Sequence, residues 1–207
     1  MSKPHERGSR KLPQRVLRLY GGLALFGWSE ALLVEAGLGL LPWDVFHQGL
    51  ERKIGLTIGI WSVLVGIVVL LLWIPLRERP GLGTVSNALL IGPCIDLSVV
   101  FMPTPDAMWL RVTYVVVAIV GNAFATALYI GARFGPGPRD GLMTGLVRRT
   151  GGSVRIVRTY IEVLVVISGF LLGGTLGIAT LLFVLTIGPL VQIFLPLLRV
   201  EPPLSGA

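Results

Sequence analysis

The chain has 207 residues, of which 53% are hydrophobic and 14% are charged, and its formal net charge is +7. Soluble domains carry about 25% charged residues, so this composition excludes an ordinary cytosolic enzyme and a disordered protein. The single cysteine excludes an intrachain disulfide and a cysteine-based metal cluster. A polytopic membrane protein is the class that remains.

Six apolar stretches reach the length of about 20 residues that a helix needs to cross a bilayer. They lie at 16–36, 57–76, 84–103, 110–132, 156–173 and 176–198. We therefore predict an all-α membrane protein with six transmembrane helices, a basic tail over 1–15 and a short tail over 199–207. Positive charge collects in the first tail and in the loop at 133–158, which by the positive-inside rule places both termini in the cytoplasm.

A shift of 96 residues aligns the two halves of the chain, 16–103 and 110–198. The positions that coincide include Asp44 with Asp140 and Gly92-Pro93 with Gly188-Pro189. Because each half contains three predicted spans, the second half enters the membrane upside down relative to the first. Inverted-topology repeats of this kind are typical of secondary transporters, whose sites lie near the bilayer midplane between the repeats.

A Gly- and Pro-rich segment in each half predicts the end of one span and a short helix of about 11 residues. This helix is too short to cross the membrane, so it is either interfacial or re-entrant. Asp44 and Asp140 are placed either to cap these helices or to act as acids that titrate or bind a cation. His47 shares a helix face with Asp44, which makes it a candidate for a proton or polar relay.

The third span of each half carries a second motif with polar residues. Thr84 and Thr180 are predicted to cap these spans, and the Gly-Pro pair that follows each is predicted to kink the helix. Asn87 and Asp96 are nine residues apart, which places them on opposite sides of the helix, with Asp96 near the outward end. A charge buried there needs a partner.

Other spans contain isolated polar residues. Glu30 in the first span and Asn122 in the fourth are candidates either for a proton or polar relay or for hydrogen bonds between helices. Glu162 lies four residues after Arg158, so we expect an ion pair on the fifth span. The sequence contains no nucleophile elbow, zinc-binding His-Glu-x-x-His or Walker loop, and we predict neither an enzyme, a metal nor a cofactor.

The same motifs resemble the YczE/YyaS/YitT family of bacterial integral membrane proteins, and most closely its YczE-like branch. The resemblance rests on Pro-Trp-Asp-Val-Phe at 42–46, Gly-Leu-Gly-Thr-Val at 81–85, Ile-Gly-Pro at 91–93 and Gly-Pro-Arg-Asp-Gly at 137–141. It covers nearly all of 16–198. The resemblance implies a location in the bacterial plasma membrane, and it implies no substrate, catalytic residue or cofactor.

We predict a secondary transporter or exporter of a small solute, with its site between the two repeats. The candidate solute-binding residues are Asp44, Asp140, Thr84, Asn87, Asp96 and Thr180. The alternative is a non-transporting scaffold or accessory protein that docks a partner through its basic loop, where Arg139, Arg148 and Arg149 also suit anionic lipid headgroups. Nucleic acid is not a predicted partner, whereas a second copy of the chain or another membrane protein is.

Overall fold

The computed structural model describes the backbone of residues 4–198 and the side chains from residue 12 onward. This part of the chain forms eight α-helices and no strand, as the all-α prediction requires. The helices are α1 (Pro4–Ala36), α2 (Pro42–Ile54), α3 (Ile58–Leu76), α4 (Leu82–Phe101), α5 (Met108–Gly131), α6 (Pro138–Thr150), α7 (Val154–Leu171) and α8 (Ile178–Leu198). Most of the predicted first tail is therefore helical, and the predicted second tail, 199–207, lies outside the described residues.

Among the described helices, α3, α4, α5 and α8 are long and apolar enough to cross a membrane. The other two predicted spans, α1 and α7, are less apolar because charged residues interrupt them. Arg18 and Glu30 lie on α1, whereas Arg155, Arg158 and Glu162 lie on α7. Leu, Ile and Val side chains are exposed along the outer faces of the long helices, as expected of a surface in contact with lipid.

The centre of the fold is the packing of α1 along α5, with α4 against α1 and α8 against α5. Small residues allow the two central backbones to approach closely. A Cβ atom added at Gly22 on α1 would lie 2.9 Å from the backbone nitrogen of Tyr129 on α5. Close packing of small residues is a main source of stability between helices in lipid, where water does not drive association.

The two halves make reciprocal contacts at the starts of α4 and α8. The backbone N–H of Gly83 donates to the carbonyl oxygen of Phe134 at 2.8 Å, and that of Ala179 donates to Leu38 at 3.0 Å. The 96-residue shift converts each bond into the other. The start of α4 is therefore fixed to the segment that precedes α6, and the start of α8 to the segment that precedes α2.

Glycine is required at the two places where these segments turn. Gly39 has a φ of +120° and its counterpart Gly135 has a φ of +117°, a region that side chains strongly disfavour. A Cβ at Gly39 would also lie 2.7 Å from Thr180 Oγ1, and a Cβ at Gly135 would lie 2.8 Å from Thr84 Oγ1. The equivalent glycines are therefore required for the same two reasons in both halves, a positive φ and a close contact with a threonine hydroxyl.

One packing contact is present in the first half and missing from the second. Helix α3 packs along α4, and Gly59 and Gly92 meet so closely that a Cβ on either would overlap the carbonyl oxygen of the other. Helix α7 does not pack along α8 in this way, and a Cβ at Gly188, the counterpart of Gly92, would have no neighbour within 4 Å. Both α4 and α8 continue through the Gly-Pro pairs.

Candidate functional site

The short helices α2 and α6 begin with proline, at Pro42 and Pro138. Asp44 and Asp140 are therefore the third residues of their helices, and the prediction that they are N-caps is wrong. The fixed φ of proline suits the first helical position, so the helix starts two residues before the aspartate. Both helices have 13 residues, close to the predicted length.

Both short helices start beside the middle of α3 and run towards its opposite ends. Their first residues line one cavity together with Gly66 of α3. Helix α2 runs from this point to Ile54, close to the start of α3. Helix α6 runs to the other end of α3, where Arg148 donates to the carbonyl oxygen of Leu76, the last residue of α3, at 2.9 Å. The partial positive charges of two helix N-termini consequently face one place.

The cavity between these helix starts has a volume of about 20 Å³, which is enough for about one water molecule. Its polar lining comes from four helices and consists of His47, Ser62, Asn87 and Arg139. The guanidinium carbon of Arg139 lies 4.8 Å from the centroid of the Trp43 ring, a cation–π distance. Trp43 and Arg139 occupy equivalent positions of the two halves, so this contact joins the halves at their shared centre.

A buried polar cluster adjoins this cavity. The side chains of Glu30, Asp44 and His47 are at most 1% exposed, and Asp44 Oδ1 lies 3.1 Å from His47 Nδ1. The Glu30 carboxyl faces that of Asp44. Both oxygens of Glu30, Oδ2 of Asp44 and Nε2 of His47 have no hydrogen-bond partner. Burial lowers the pKa of His47 despite the neighbouring Asp44, which favours the neutral imidazole.

Asp140 has different neighbours from Asp44, although the two occupy equivalent positions. The hydroxyl of Tyr129 donates to Asp140 Oδ2 at 3.4 Å. Burial raises the pKa of Asp140, and the positive charges of Arg158 and Arg139 oppose that rise, as does the Tyr129 hydrogen bond. The structure thus gives the two aspartates separate partners.

Thr84 and Thr180 lie at the starts of α4 and α8 and do not line the cavity. Thr84 Oγ1 donates to the carbonyl oxygen of Pro136 at 2.7 Å and accepts from the N–H of Gly81 at 3.2 Å. Thr180 Oγ1 accepts from the N–H of Gly177 at 3.4 Å. Both threonines secure helix starts from the third position of the helix, so the prediction that they are the capping residues is wrong.

Asn122 connects the two central helices. Its side-chain amide donates to Ser29 Oγ at 3.2 Å, and the Ser29 hydroxyl donates to the carbonyl oxygen of Phe26 at 2.7 Å. Of the two interpretations of Asn122, these contacts favour the hydrogen bond between helices. Because Ser29 precedes Glu30, this bond also fixes the part of α1 that carries the buried acid.

The three arginines that the sequence assigns to one basic surface are separated in the structure. Arg139 lies between the halves, on the Trp43 ring. Arg148 Nη2 lies 2.9 Å from Glu78 Oε1, and Arg149 donates to the carbonyl oxygen of Pro75 at 3.3 Å. Arg148 and Arg149 therefore fasten the end of α6 to the end of α3, while Arg139 lines the cavity.

Asp96 is fixed to the start of α3 and takes no part in the cavity. Its carboxylate accepts from the hydroxyl of Thr57, the N-cap of α3, and from the N–H of Gly59 at 2.9 Å. Asn87 of the same helix lines the cavity, so the two residues have different surroundings, although both lie near α3. The partner that the sequence required for Asp96 is thus a helix N-terminus.

We expect Asp96→Ala to lower the free energy of unfolding by about 1.5–3 kcal/mol, because two charge-assisted hydrogen bonds to the start of α3 are lost. Thermal unfolding in detergent micelles measures this effect. The matched control is Glu162→Ala, which removes the predicted and observed ion pair with Arg158 at 2.9 Å on an exposed face, where about 0–1 kcal/mol is expected. Equal effects of the two substitutions would contradict this role for Asp96.

Three members of the site, Ser62, Tyr129 and Trp43, are not predicted from the sequence. Ser62 is the only serine in the apolar stretch at 57–76, and this isolation was the available signal. Tyr129 and Trp43 gave no comparable signal, because aromatic residues are common at the ends of membrane helices. The 96-residue alignment pairs Trp43 with Arg139, but only the packing of the two halves shows that these positions meet.

The described residues are all-helical, with membrane-length apolar helices and two short helices that start at one buried polar cluster, and they define an integral membrane protein. The chain belongs to a family of unknown function, DUF6198, whose sequence model matches residues 13–196. No solved structure matches the chain.

Three bacterial relatives are similar over most of the chain. An uncharacterized protein of Haemophilus influenzae is 39% identical over 180 residues, which cover 87% of this chain and 83% of the relative. The uncharacterized membrane protein YczE of Bacillus subtilis is 30% identical over 86% of this chain and 83% of its own length. The uncharacterized protein YyaS of Bacillus subtilis is 28% identical, with coverages of 87% and 92%. The resemblance to the YczE and YyaS proteins is confirmed.

Proposed function

We propose that the chain crosses the membrane six times and that its halves have opposite orientations. The spans are α1, α3, α4, α5, α7 and α8. The directions of the short helices support this topology, because α2 and α6 are equivalent in the repeat and yet run towards opposite ends of α3. The positive-inside rule then places both termini, the arginines at 77–79 and the loop at 133–158 in the cytoplasm of a bacterial cell.

We further propose that the protein transports a small anionic solute between its halves, and that the cavity widens in the transport cycle to bind the anionic group. The observation that carries this proposal is the convergence of two helix N-termini on one cavity lined by Arg139. Their partial charges and the guanidinium favour an anionic group, and Ser62 and Asn87 provide hydrogen bonds that select for its shape. Sites at such broken helices between inverted repeats recur among secondary transporters.

The unequal packing of the two halves supports alternating access to this cavity. Helix α3 is closed against α4, whereas the equivalent helices α7 and α8 are apart. A transporter built from inverted repeats alternates between states by rocking or gating one repeat against the other around a fixed site. In this scheme the structure is open on the side of α7 and α8, and the opposite state closes α7 on α8 and releases α3 from α4.

Proteoliposome flux tests the proposal. The purified protein is reconstituted and screened with radiolabelled inorganic phosphate, sulfate, dicarboxylates and amino acids. We expect uptake of at least one of these solutes above empty vesicles, and we expect Arg139→Gln and Asn87→Ala to lower it about tenfold or more, because a charge-assisted hydrogen bond contributes about 1.5–3 kcal/mol. Arg139→Lys, which keeps the charge and loses the planar fork, should retain part of the flux.

Arg149→Gln is the matched control, because Arg149 lies outside the cavity on an exposed face. Its flux should equal that of the unsubstituted protein. Absence of flux for every solute in the panel, with a folded protein, would contradict transport. Co-purification of a partner that is lost when Arg148 and Arg149 are both neutralised would instead support the scaffold.

A further inference from the structure

The Glu30 and Asp44 carboxyls are neighbours in the interior, and three of their four oxygens have no hydrogen-bond donor. Both side chains are at most 1% exposed. Two ionised carboxylates cannot donate to one another, and burying both charges without donors costs several kcal/mol. A single proton between them provides the missing donor and removes one charge, as in carboxyl pairs that share a proton.

The charged and titratable groups around the pair do not replace this proton. On α2, His47 lies beside Asp44, and its Nδ1 is hydrogen-bonded to Asp44 Oδ1. On α6, the positive charge of Arg139 lies near Glu30, but the guanidinium stacks on the Trp43 ring. On α5, the Tyr129 hydroxyl donates to Asp140. Helix α4 brings Cys94 to Gly27, one turn before Glu30 on α1. With one guanidinium against two carboxylates, the cluster keeps an excess negative charge until a proton is bound.

We propose that the Glu30–Asp44 pair is a proton-binding site that couples movement of the solute to movement of a proton in the same direction. This inference rests on the transport function proposed above. A proton taken from water onto the pair removes negative charge near Arg139 and so favours an anion in the adjoining cavity. By thermodynamic linkage, the bound anion favours the proton by the same factor.

A proton fits the site better than a metal cation. Among the described side chains, no group of three or more His, Cys, Asp and Glu residues could hold a metal ion. Alkaline-earth cations need six or more oxygen ligands, whereas this cluster offers two carboxyls and a neighbouring guanidinium that repels a cation. The adjoining cavity has room for about one water molecule beside His47, the neighbour of Asp44.

Infrared spectroscopy of the purified protein in lipid tests proton binding without any solute. We expect the carbonyl absorption of a protonated carboxylic acid at neutral pH, with slow hydrogen–deuterium exchange because the pair is buried. Glu30→Gln and Asp44→Asn should each abolish this absorption, and Glu162→Gln, at an exposed ion pair, should leave it unchanged. Asp140→Asn, at the half-buried equivalent aspartate, should also leave the absorption unchanged.

Absence of the absorption in the unsubstituted protein, or its persistence in both Glu30→Gln and Asp44→Asn, would overturn the pair as a proton site. The first of these outcomes needs no variant, so it stands even if a substitution prevents folding. If the absorption is present but no solute of the panel is transported, the proton site is retained and transport is rejected.

For a solute that the flux panel identifies, proton coupling is measured by making the outside of the vesicles more acidic than the inside. We expect the gradient to accelerate uptake by the unsubstituted protein and by Glu162→Gln, and we expect Glu30→Gln to lose this acceleration. Uptake that is indifferent to the pH gradient, or that follows a sodium gradient instead, would reject proton coupling while leaving transport intact.

Discussion

Replacing Gly92 with alanine is expected to destabilise the protein by about 1–3 kcal/mol, the usual cost of overpacking a close contact. The added methyl group would overlap the carbonyl oxygen of Gly59 and lie 2.8 Å from Val63 Cγ2, so α3 and α4 would have to separate. Thermal unfolding in detergent micelles measures the loss. In the transport scheme the same substitution should also favour the state in which α3 has left α4.

The repeat supplies the control at Gly188, which has the same sequence neighbours, an isoleucine before it and a proline after it. A Cβ there meets nothing within 4 Å, so Gly188→Ala should be neutral or stabilising by up to about 1 kcal/mol through its helix propensity. Equal destabilisation by the two substitutions would show that the halves pack alike and would remove the asymmetry on which alternating access depends.

Replacing Trp73 with alanine is expected to cost about 3–5 kcal/mol, because the substitution empties a space in the core. The side chain is 2% exposed, its Nε1 donates to the carbonyl oxygen of Pro138 at 3.0 Å, and Gly141 packs directly on its ring. Hydrogen exchange should accelerate throughout α6, since Trp73 contacts two residues of its first turn, Pro138 and Gly141. Thermal unfolding and exchange of the α6 amides measure the two effects.

Trp109→Ala provides the comparison, because Trp109 is 69% exposed on α5. A substitution at such a surface position is expected to change the free energy of unfolding by about 0.5 kcal/mol or less. If Trp73→Ala and Trp109→Ala shift unfolding equally, or if α6 keeps its protection without Trp73, the anchoring role of Trp73 is wrong.

The sequence predicted the helices well because their signals are local. All six apolar stretches lie on long helices, and the Gly-Pro segments gave the short helices with nearly their true length. Local patterns predicted the starts less well, since Asp44 and Asp140 looked like caps until the prolines before them proved to be the first helical residues. A proline and an N-cap residue both favour a helix start, and only the backbone shows which one defines it.

The site was harder to predict because it depends on packing between distant helices. Asp96 and Asn87 both looked suitable for a solute, yet one secures the start of α3 and the other lines the cavity. Arg139 looked like a surface residue of a basic loop because its sequence neighbours are charged. Its true position follows from the convergence of α2 and α6, a tertiary feature that no local pattern records.

The contact between Trp43 and Arg139 depends on the two halves being parts of one chain. In a symmetric dimer of two identical half-length chains, equivalent positions that meet at the symmetry axis carry the same side chain, so a cation would face a cation or an indole would face an indole. Residues 43 and 139 of a single chain are encoded separately. The centre of this molecule therefore holds one guanidinium stacked on one indole, a pair that two identical subunits cannot form at their axis.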